Sequence, residues 1–249
     1  MSGHSKWANI KHRKAAQDAK KGVAYQRLTK NIIAAAKAGG GDPNANFQLK
    51  VAIDRAKAGN VPNDNIDRAV KRGAGTLEGV SYEDITYEGY GPGGVAVLVE
   101  VSTDNRNRTA PEMRTLFTRT GGAIGEPGSV AWNFERKGII TVTGSGIDED
   151  ELMTVALEAG AEDISQEEDG FEITTDPGTL SDVATAIKDA GYVVSDMERT
   201  MEPKTTVAVK TKEEAAKLMT MIDRFEEHDD VQNVYSNFEI PDEILAQLD

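Results

Sequence analysis

Near Leu77 the hydrophobic period of this chain changes from that of a helix to that of a strand, which restricts it to a helical part followed by mixed α and β parts. Before the change, Ala15 to Ala38 reads as a helix in which Tyr25, Leu28, Ile32 and Ala35 recur at three- and four-residue spacing. Lys20, Arg27, Lys30 and Lys37 fall roughly opposite, so the helix carries a cationic outer face. Gly39, Gly40 and Gly41 stop it, and Asp42-Pro43 offers a cap and a first turn for a second helix running to about Lys57. Leu49, Ile53 and Ala56 point inward there, and Lys50 and Lys57 outward. After Gly59, Pro62 to Arg72 makes a third helix with Ile66, Ala69 and Val70 inward and Gly73 as its terminator. Three short amphipathic helices form a small bundle, placed with the arm before it in residues 1–76.

Beyond the change, Tyr82 to Glu88 and Gly94 to Ser102 are β-rich and are separated by GYGPGG, Gly89 to Gly94. Thr109-Ala-Pro-Glu112 has the form of a capping box opening a helix with Met113, Leu116 and Phe117 inward. A strand, Ser129 to Phe134, follows. Ile139 to Thr143, Asp148 to Ala159, Ala161 to Glu167, Phe171 to Thr175, Leu180 to Ala190 and Tyr192 to Glu198 then alternate as βαββαβ, with Asp169-Gly170 as a hairpin signal. This order is the ferredoxin-like arrangement. Thr205 to Val209, Lys212 to Glu227 and Val231 to Phe238 supply a strand, a helix and a strand that complement the unfinished set before the block. The expected fold is therefore multi-domain, α and α+β. A three-helix bundle precedes a discontinuous α+β domain, 77–137 with 204–249, into which a ferredoxin-like domain, 138–203, is inserted. A length of 249 residues suits two or three such domains.

Charge is distributed unevenly. The net charge is -14, yet residues 1–75 carry 15 Lys and Arg against 5 Asp and Glu, while the remainder carries 13 against 37. Gly3 to Lys21 concentrates Lys6, Lys11, Arg13, Lys14, Lys20 and Lys21 beside His4 and His12, with no acid before Asp18. A basic segment on an acidic chain points to nucleic acid or a membrane, the bland alternative being a solvated basic face. No apolar run approaches the roughly 18 residues a membrane span needs, so no membrane partner is expected. The first 22 residues lack a signal-peptide core and there is no cysteine, which together point to the cytoplasm.

The candidate contacts are Lys6, Trp7, Lys11, His12, Arg13, Lys14, Lys20, Lys21, Arg27, Lys30, Lys71, Arg72, Arg106 and Arg108. Trp7, an aromatic among lysines, could stack on an unpaired base or pack the arm on the bundle. Arg106 and Arg108 in TDNRNRT, Thr103 to Thr109, could grip phosphate or serve only to deliver the chain to the next helix. GYGPGG leads into a strand rather than a helix and carries no lysine, so it reads as a hairpin loop rather than a phosphate cradle. His4 and His12 have no companion at ligand spacing and are surrounded by cations, so no metal site is expected. No nucleophile motif or cofactor fingerprint is present, so no catalytic residue, cofactor or small-molecule substrate is expected.

GHSKWANIKHRKAAQDAKKG, IDRAVKRGAG (Ile66 to Gly75), YEGYGPGGVAVLVE (Tyr87 to Glu100), TDNRNRT, FERKG (Phe134 to Gly138) and NFEIPDEI (Asn237 to Ile244) closely resemble the YebC/PmpR family. The resemblance runs the length of the chain. It implies a bundle followed by two α+β domains, one inserted in the other, in a cytoplasmic nucleic-acid-associated regulator. Some members are described as DNA-binding transcriptional regulators; others, including a mitochondrial translational activator, act on translation and help ribosomes through proline-rich stretches. Two runs depart from the family pattern, Val23 to Asn31 and Asn46 to Lys50, which implies weaker or relocated cationic contacts on the bundle. The helices around Gly59 could pass as a helix-turn-helix, but Asp64 and Asp67 occupy the first turns of the would-be recognition helix. Ribosomal RNA is therefore the favoured partner, with duplex DNA the alternative.

Overall fold

The computed structural model describes residues 21–76, 82–144, 146–167 and 170–245, with the side chains of 21–27, 242 and 245 excluded. The arm from Gly3 to Lys20 and the hairpin signal at Asp169 lie outside the described residues. The protein is a mixed α+β molecule whose sheets are antiparallel except for one short parallel pair. It has two compact units, one of Asn133–Lys204 and one taking in the described residues up to Trp132 and from Thr205 onward.

In the second of these units, α1 (Lys21–Gly39), α2 (Phe47–Ala58) and α3 (Asn63–Gly73) share one apolar core. Ile32, Ile33 and Ala36 of α1 meet Leu49, Ala52 and Ala56 of α2 and Ile66 and Ala69 of α3. The core face of α1 is rotated from the expected one, since Ile33 and Ala36 are buried while Leu28 and Ala35 are only half-buried. Helix α2 does not start at Asp42-Pro43. Asp42 closes an Asx turn instead, its Oδ1 accepting from Asn44 N at 2.9 Å. Asn46 is the cap: Oδ1 accepts from Leu49 N at 3.1 Å, while Nδ2 donates to the carbonyls of Ala35 and Gly40, both at 2.8 Å. One buried amide thus satisfies both an N-terminus and a C-terminus. Helix α3 crosses α1 closely at Gly73, where a Cβ would lie 2.4 Å from Ile33 O and 2.7 Å from Ala36 Cβ.

Strands β1 (Glu83–Tyr90) and β2 (Ala96–Thr103) pair antiparallel from Glu83↔Thr103 to Tyr90↔Ala96, which makes GYGPGG a hairpin connection. Helix α4 (Arg106–Arg119) follows, then β3 (Ala123–Ile124), which pairs with Gly89 and Tyr90. The capping box at Thr109 is not used. Asn105 caps α4 four residues earlier by accepting from Arg108 N at 3.2 Å, because the Thr109 hydroxyl is engaged with Asp230 at 2.6 Å. The expected strand from Ser129 to Phe134 is also absent. The N–H groups of Val130 and Ala131, with that of Gly128 just before the segment, donate to the buried carboxylate of Glu88 at 2.8, 2.7 and 2.6 Å, and Ala131–Asn133 forms a single 3-10 turn. The N–H groups of Val130 and Ala131 spent on one carboxylate are lost to a ladder.

In Asn133–Lys204, β4 (Phe134–Thr143), α5 (Glu149–Glu158), β5 (Ala161–Glu167), β6 (Gly170–Thr175), α6 (Leu180–Asp189) and β7 (Val194–Pro203) follow in order. The sheet order is β5-β6-β4-β7 with every neighbour antiparallel. Ile140, Val142, Phe171, Ile173 and Met197 of the sheet pack with Leu152, Ala156, Leu180, Val183 and Ile187 of the helices. Both helices therefore cover one face, and the strand alternation leaves Glu172 and Glu198 on the other.

The chain then returns to the larger unit as β8 (Val207–Ala208), α7 (Lys212–Glu226), β9 (Val231–Ser236), β10 (Phe238–Glu239) and α8 (Asp242–Leu245). Strand β9 joins β2, giving the order β3-β1-β2-β9. Strand β8 does not enter this sheet but pairs in parallel with β10. The cause is Asn237, whose Oδ1 accepts from Ala96 N at 2.7 Å and whose Nδ2 donates to Thr205 O at 3.0 Å. It replaces a ladder bond with a side-chain bond and turns the chain out of β9. Helices α4 and α7 meet through Phe117 and Phe225, edge to face with centroids 4.7 Å apart. No helix among the described residues is long and apolar enough to cross a membrane.

Candidate nucleic-acid interface

The motif TDNRNRT folds into a knot that joins the end of β2, the start of α4 and the turn between α7 and β9. Asp230, buried, accepts from Arg108 Nη2 and from the Thr109 hydroxyl, both at 2.6 Å, and Thr103 Oγ1 lies 2.8 Å from Thr109 Oγ1. The Ser102 N–H donates to Asp230 O at 2.8 Å. Burial alone would raise the Asp230 carboxyl, but the bonds from Thr109, Arg108 and Thr103 hold it below the usual carboxylate range. Arg108, also within 3.2 Å of Asp104, is therefore a structural cation rather than an open phosphate contact. Arg106, two residues earlier, is exposed and makes no hydrogen bond or ion pair among the described residues. Two residues, about half a turn of helix, put the two arginines that the sequence treats alike on opposite sides.

The other candidates divide in the same way. Lys6, Trp7, Lys11, His12, Arg13, Lys14 and Lys20 lie outside the described residues, and of Lys21 and Arg27 only the helical backbone is described. Lys30 does not face outward. Its ammonium donates to the carbonyls of Glu226 and His228 at 2.6 and 2.7 Å, and burial brings it down to about 8 against the opposing pull of Glu226, Asp229 and Asp230. Arg72 lies 4.1 Å over the Tyr82 ring and donates to Ser102 O at 3.0 Å, so it ties the bundle to the sheet. Lys37 pairs with Asp84. The cations left open on the bundle are Lys50, Lys57, Arg68 and Lys71, all exposed and without a partner among the described residues. Arg68 was not among the candidates because its position within the helical turn gave no sign that its neighbours would be engaged and it would not.

Glu112, His228 and Asp230 bring three potential ligand atoms within 4.8 Å of one another. These donors are already engaged. His228 Nδ1 accepts from Asp230 N at 3.1 Å and its Nε2 lies 3.0 Å from Glu112 Oε2, while Asp230 Oδ2 holds Arg108 and Thr109. The chemistry of the cluster is that of a hydrogen-bonded corner.

With this geometry established, comparison with known proteins is direct. Residues 5–76 match the TACO1/YebC protein N-terminal domain, and residues 82–238 match the TACO1/YebC second and third domain. The chain belongs to the TACO1/YebC family. A Dictyoglomus turgidum protein is 53% identical over 249 residues, with both chains fully covered, and bears the name "Probable transcriptional regulatory protein". A Geobacter sulfurreducens protein of the same description is 52% identical over 248 residues, again covering all of both. The crystal structure of a conserved hypothetical protein from Aquifex aeolicus superposes with a TM-score of 0.75 at 45% identity, covering 92% of this chain and 94% of that one. The bundle of this TACO1/YebC chain lies within the first match, and the TDNRNRT knot within the second. A further exposed aromatic escapes sequence reading. Trp132 is 65% exposed, and its Nε1 donates to Ser129 O at 2.9 Å, the same carbonyl that accepts from Tyr90 OH at 3.0 Å. Apolar neighbours at Val130 and Phe134 disguise it as a core strand residue.

Proposed function

We propose that this TACO1/YebC chain is a nucleic-acid-binding regulator of gene expression that works on the ribosome, contacting ribosomal RNA and assisting synthesis through proline-rich stretches in the cytoplasm. The arm residues Lys6, Trp7, Lys11, His12, Arg13, Lys14 and Lys20, with Lys21 and Arg27, carry the contact, supported by the open bundle cations Lys50, Lys57, Arg68 and Lys71. The architecture that serves it is the helical bundle, a discontinuous α+β domain and an inserted ferredoxin-like domain, for which the strand order β5-β6-β4-β7 is the support. The observation that carries the choice of RNA is the first two turns of α3. Asp64 and Asp67 are exposed where a recognition helix meets base edges and phosphates, and carboxylates there repel a duplex. The alternative reading, a DNA-binding transcriptional regulator, is favoured by the names of the relatives from Dictyoglomus and Geobacter.

One binding experiment separates the two. With about five phosphates neutralised, log affinity falls against log salt with a slope of roughly -3 to -5 for either polymer, but base stacking on Trp7 and contact with 2′-hydroxyls add a term only RNA satisfies. At about 0.2 M salt, binding to random duplex DNA is lost and binding to ribosomes persists. Replacing Lys11, Arg13 and Lys14 with Ala weakens both strongly without moving the melting temperature. A sequence-specific duplex that survives this salt better than ribosomes do overturns the RNA reading.

A further inference from the structure

Periodicity places Lys30 and Lys37 on the outer, cationic face of α1, yet the structure turns both toward the α+β part of the larger unit, together with Arg72 of α3. Lys30 and Lys37 are seven residues apart, so they stand on one stripe of α1 about two turns long, and Arg72 lies in the last turn of α3. The three cations reach a single patch. Lys37 pairs with Asp84, and Arg72 donates to the carbonyl of Ser102, the residue opposite Asp84 in the β1–β2 register. The Ser102 N–H in turn donates to Asp230 O, in the turn after α7 whose Glu226 and His228 carbonyls hold Lys30.

This joint is polar. The apolar core of the bundle, from Ile32 to Ala69, includes no residue of the α+β part. Its cations are also poorly matched. Lys30 and Arg72 meet carbonyl oxygens and the Tyr82 ring, all neutral, and neither has a carboxylate within ion-pair distance among the described residues. Arg72 Nε is buried without a hydrogen-bond partner, and burial brings Lys30 down to about 8. The one ion pair, Lys37 with Asp84, has both side chains about half exposed, where such a pair stabilises little. A phosphate oxygen would give each cation an ionised acceptor, and the fork of Arg72 two bonds to one group.

We infer that Lys30, Lys37 and Arg72 form a latch that keeps this face of the bundle against the α+β part in the free protein, and that the phosphates of a bound nucleic acid take over the three cations and swing the bundle away from Asp84 and Ser102. The inference rests on the nucleic-acid reading above and adds a regulation to it. The acidic part of the chain holds a cationic surface shut until a polyanion competes for it, while Lys50, Lys57, Arg68 and Lys71 stay open to make the first contact.

The test uses a 20-nucleotide oligouridylate and the full chain. Asp84→Asn removes the one carboxylate of the latch and no cation. It strengthens binding about threefold near 0.1 M salt, the scale of one exposed ion pair, whereas Glu83→Gln, which removes the same charge from the exposed neighbour, leaves affinity nearly unchanged. A purely structural ion pair gives the two variants equal affinity. Opening is read separately. The chain has no cysteine, so Ala58→Cys on α2 and Ala216→Cys on α7, both exposed, take one spin label each. Saturating oligouridylate produces a second label-to-label distance, and Asp84→Asn populates it without nucleic acid. One unchanged distance at saturation, or Asp84→Asn binding no more tightly than Glu83→Gln, overturns the latch. The function proposed above then still stands if the arm variant of Lys11, Arg13 and Lys14 binds more weakly than wild type. A wild-type chain that binds neither oligouridylate nor ribosomes removes the nucleic-acid reading and the latch with it.

Discussion

Lys30 shows how one residue can leave a binding face and become part of the scaffold. Its ammonium meets two carbonyls at the C-terminal end of α7, where a helix dipole favours a cation, yet burial is the larger effect and lowers its pKa from 10.5 to about 8. The sign follows from linkage. Below about pH 8 folded and unfolded chains both hold the proton and the burial penalty is fully present. Between about 8 and 10.5 the folded protein releases a proton that the unfolded chain keeps, so stability rises with pH, by up to about 3 kcal/mol at 1.4 kcal/mol per unit. Chemical denaturation from pH 7 to 10 therefore shows a rise in the wild-type protein, and Lys30→Met flattens it. An identical rise in both proteins removes Lys30 as the cause.

At the scale of elements, the face of the Asn133–Lys204 sheet opposite its two helices gathers acids across neighbouring strands. Glu172 of β6 faces Thr141 of β4, and Ile139 of β4 faces Glu198 of β7. Burial, then Glu167, Glu202 and Glu198, push Glu172 from 4.5 up to about 7. Here the sign is reversed. From about pH 4.5 through 7 the folded sheet holds a proton that the unfolded chain has released, so stability falls as pH rises and the full cost is present by about pH 8. Glu172→Gln keeps the shape and removes the charge. It stabilises the protein by roughly 1–3 kcal/mol at pH 8 and has little effect near pH 4.5, as read by thermal melting at the two pH values. Equal shifts at both pH values would point to packing rather than ionisation.

On the scale of the whole molecule, the unit Asn133–Lys204 leaves and returns to the chain at one place. The Lys204 N–H donates to Asn133 O at 2.7 Å, so its two ends lie side by side. Joining Trp132 to Thr205 through a short Gly/Ser linker therefore spans a small gap and leaves the β3-β1-β2-β9 sheet with α4 and α7 intact. The shortened protein is soluble and melts in one cooperative transition, checked by calorimetry. Insoluble product from several linker lengths counts against the independence of the larger unit.

Periodicity and charge were local properties and could be read without coordinates. The apolar spacing at Ile32, Leu49 and Ile66, the β-rich run of β2 and the order of elements from β4 to β7 depend on neighbours along the chain, as does the concentration of cations before residue 76. Caps were less legible, because Asn46 prevailed over Asp42 through a bond to Ala35 O that folding brings to it, and Asn105 over Thr109 because folding gives the Thr109 hydroxyl to Asp230. The hidden features depend on partners distant in sequence. Glu88 reaches forty residues to hold a loop that looks like a strand, Asp230 reaches back to Arg108 and Thr109, and Lys30 finds carbonyls nearly two hundred residues away. Sequence determined which residues are charged or apolar and which helices and strands they form. Only the tertiary structure decided which charges are left open, because pairing is set by distance in space, and so it left Arg106 and Arg114 exposed while burying the work of Lys30 and Arg108 inside the fold.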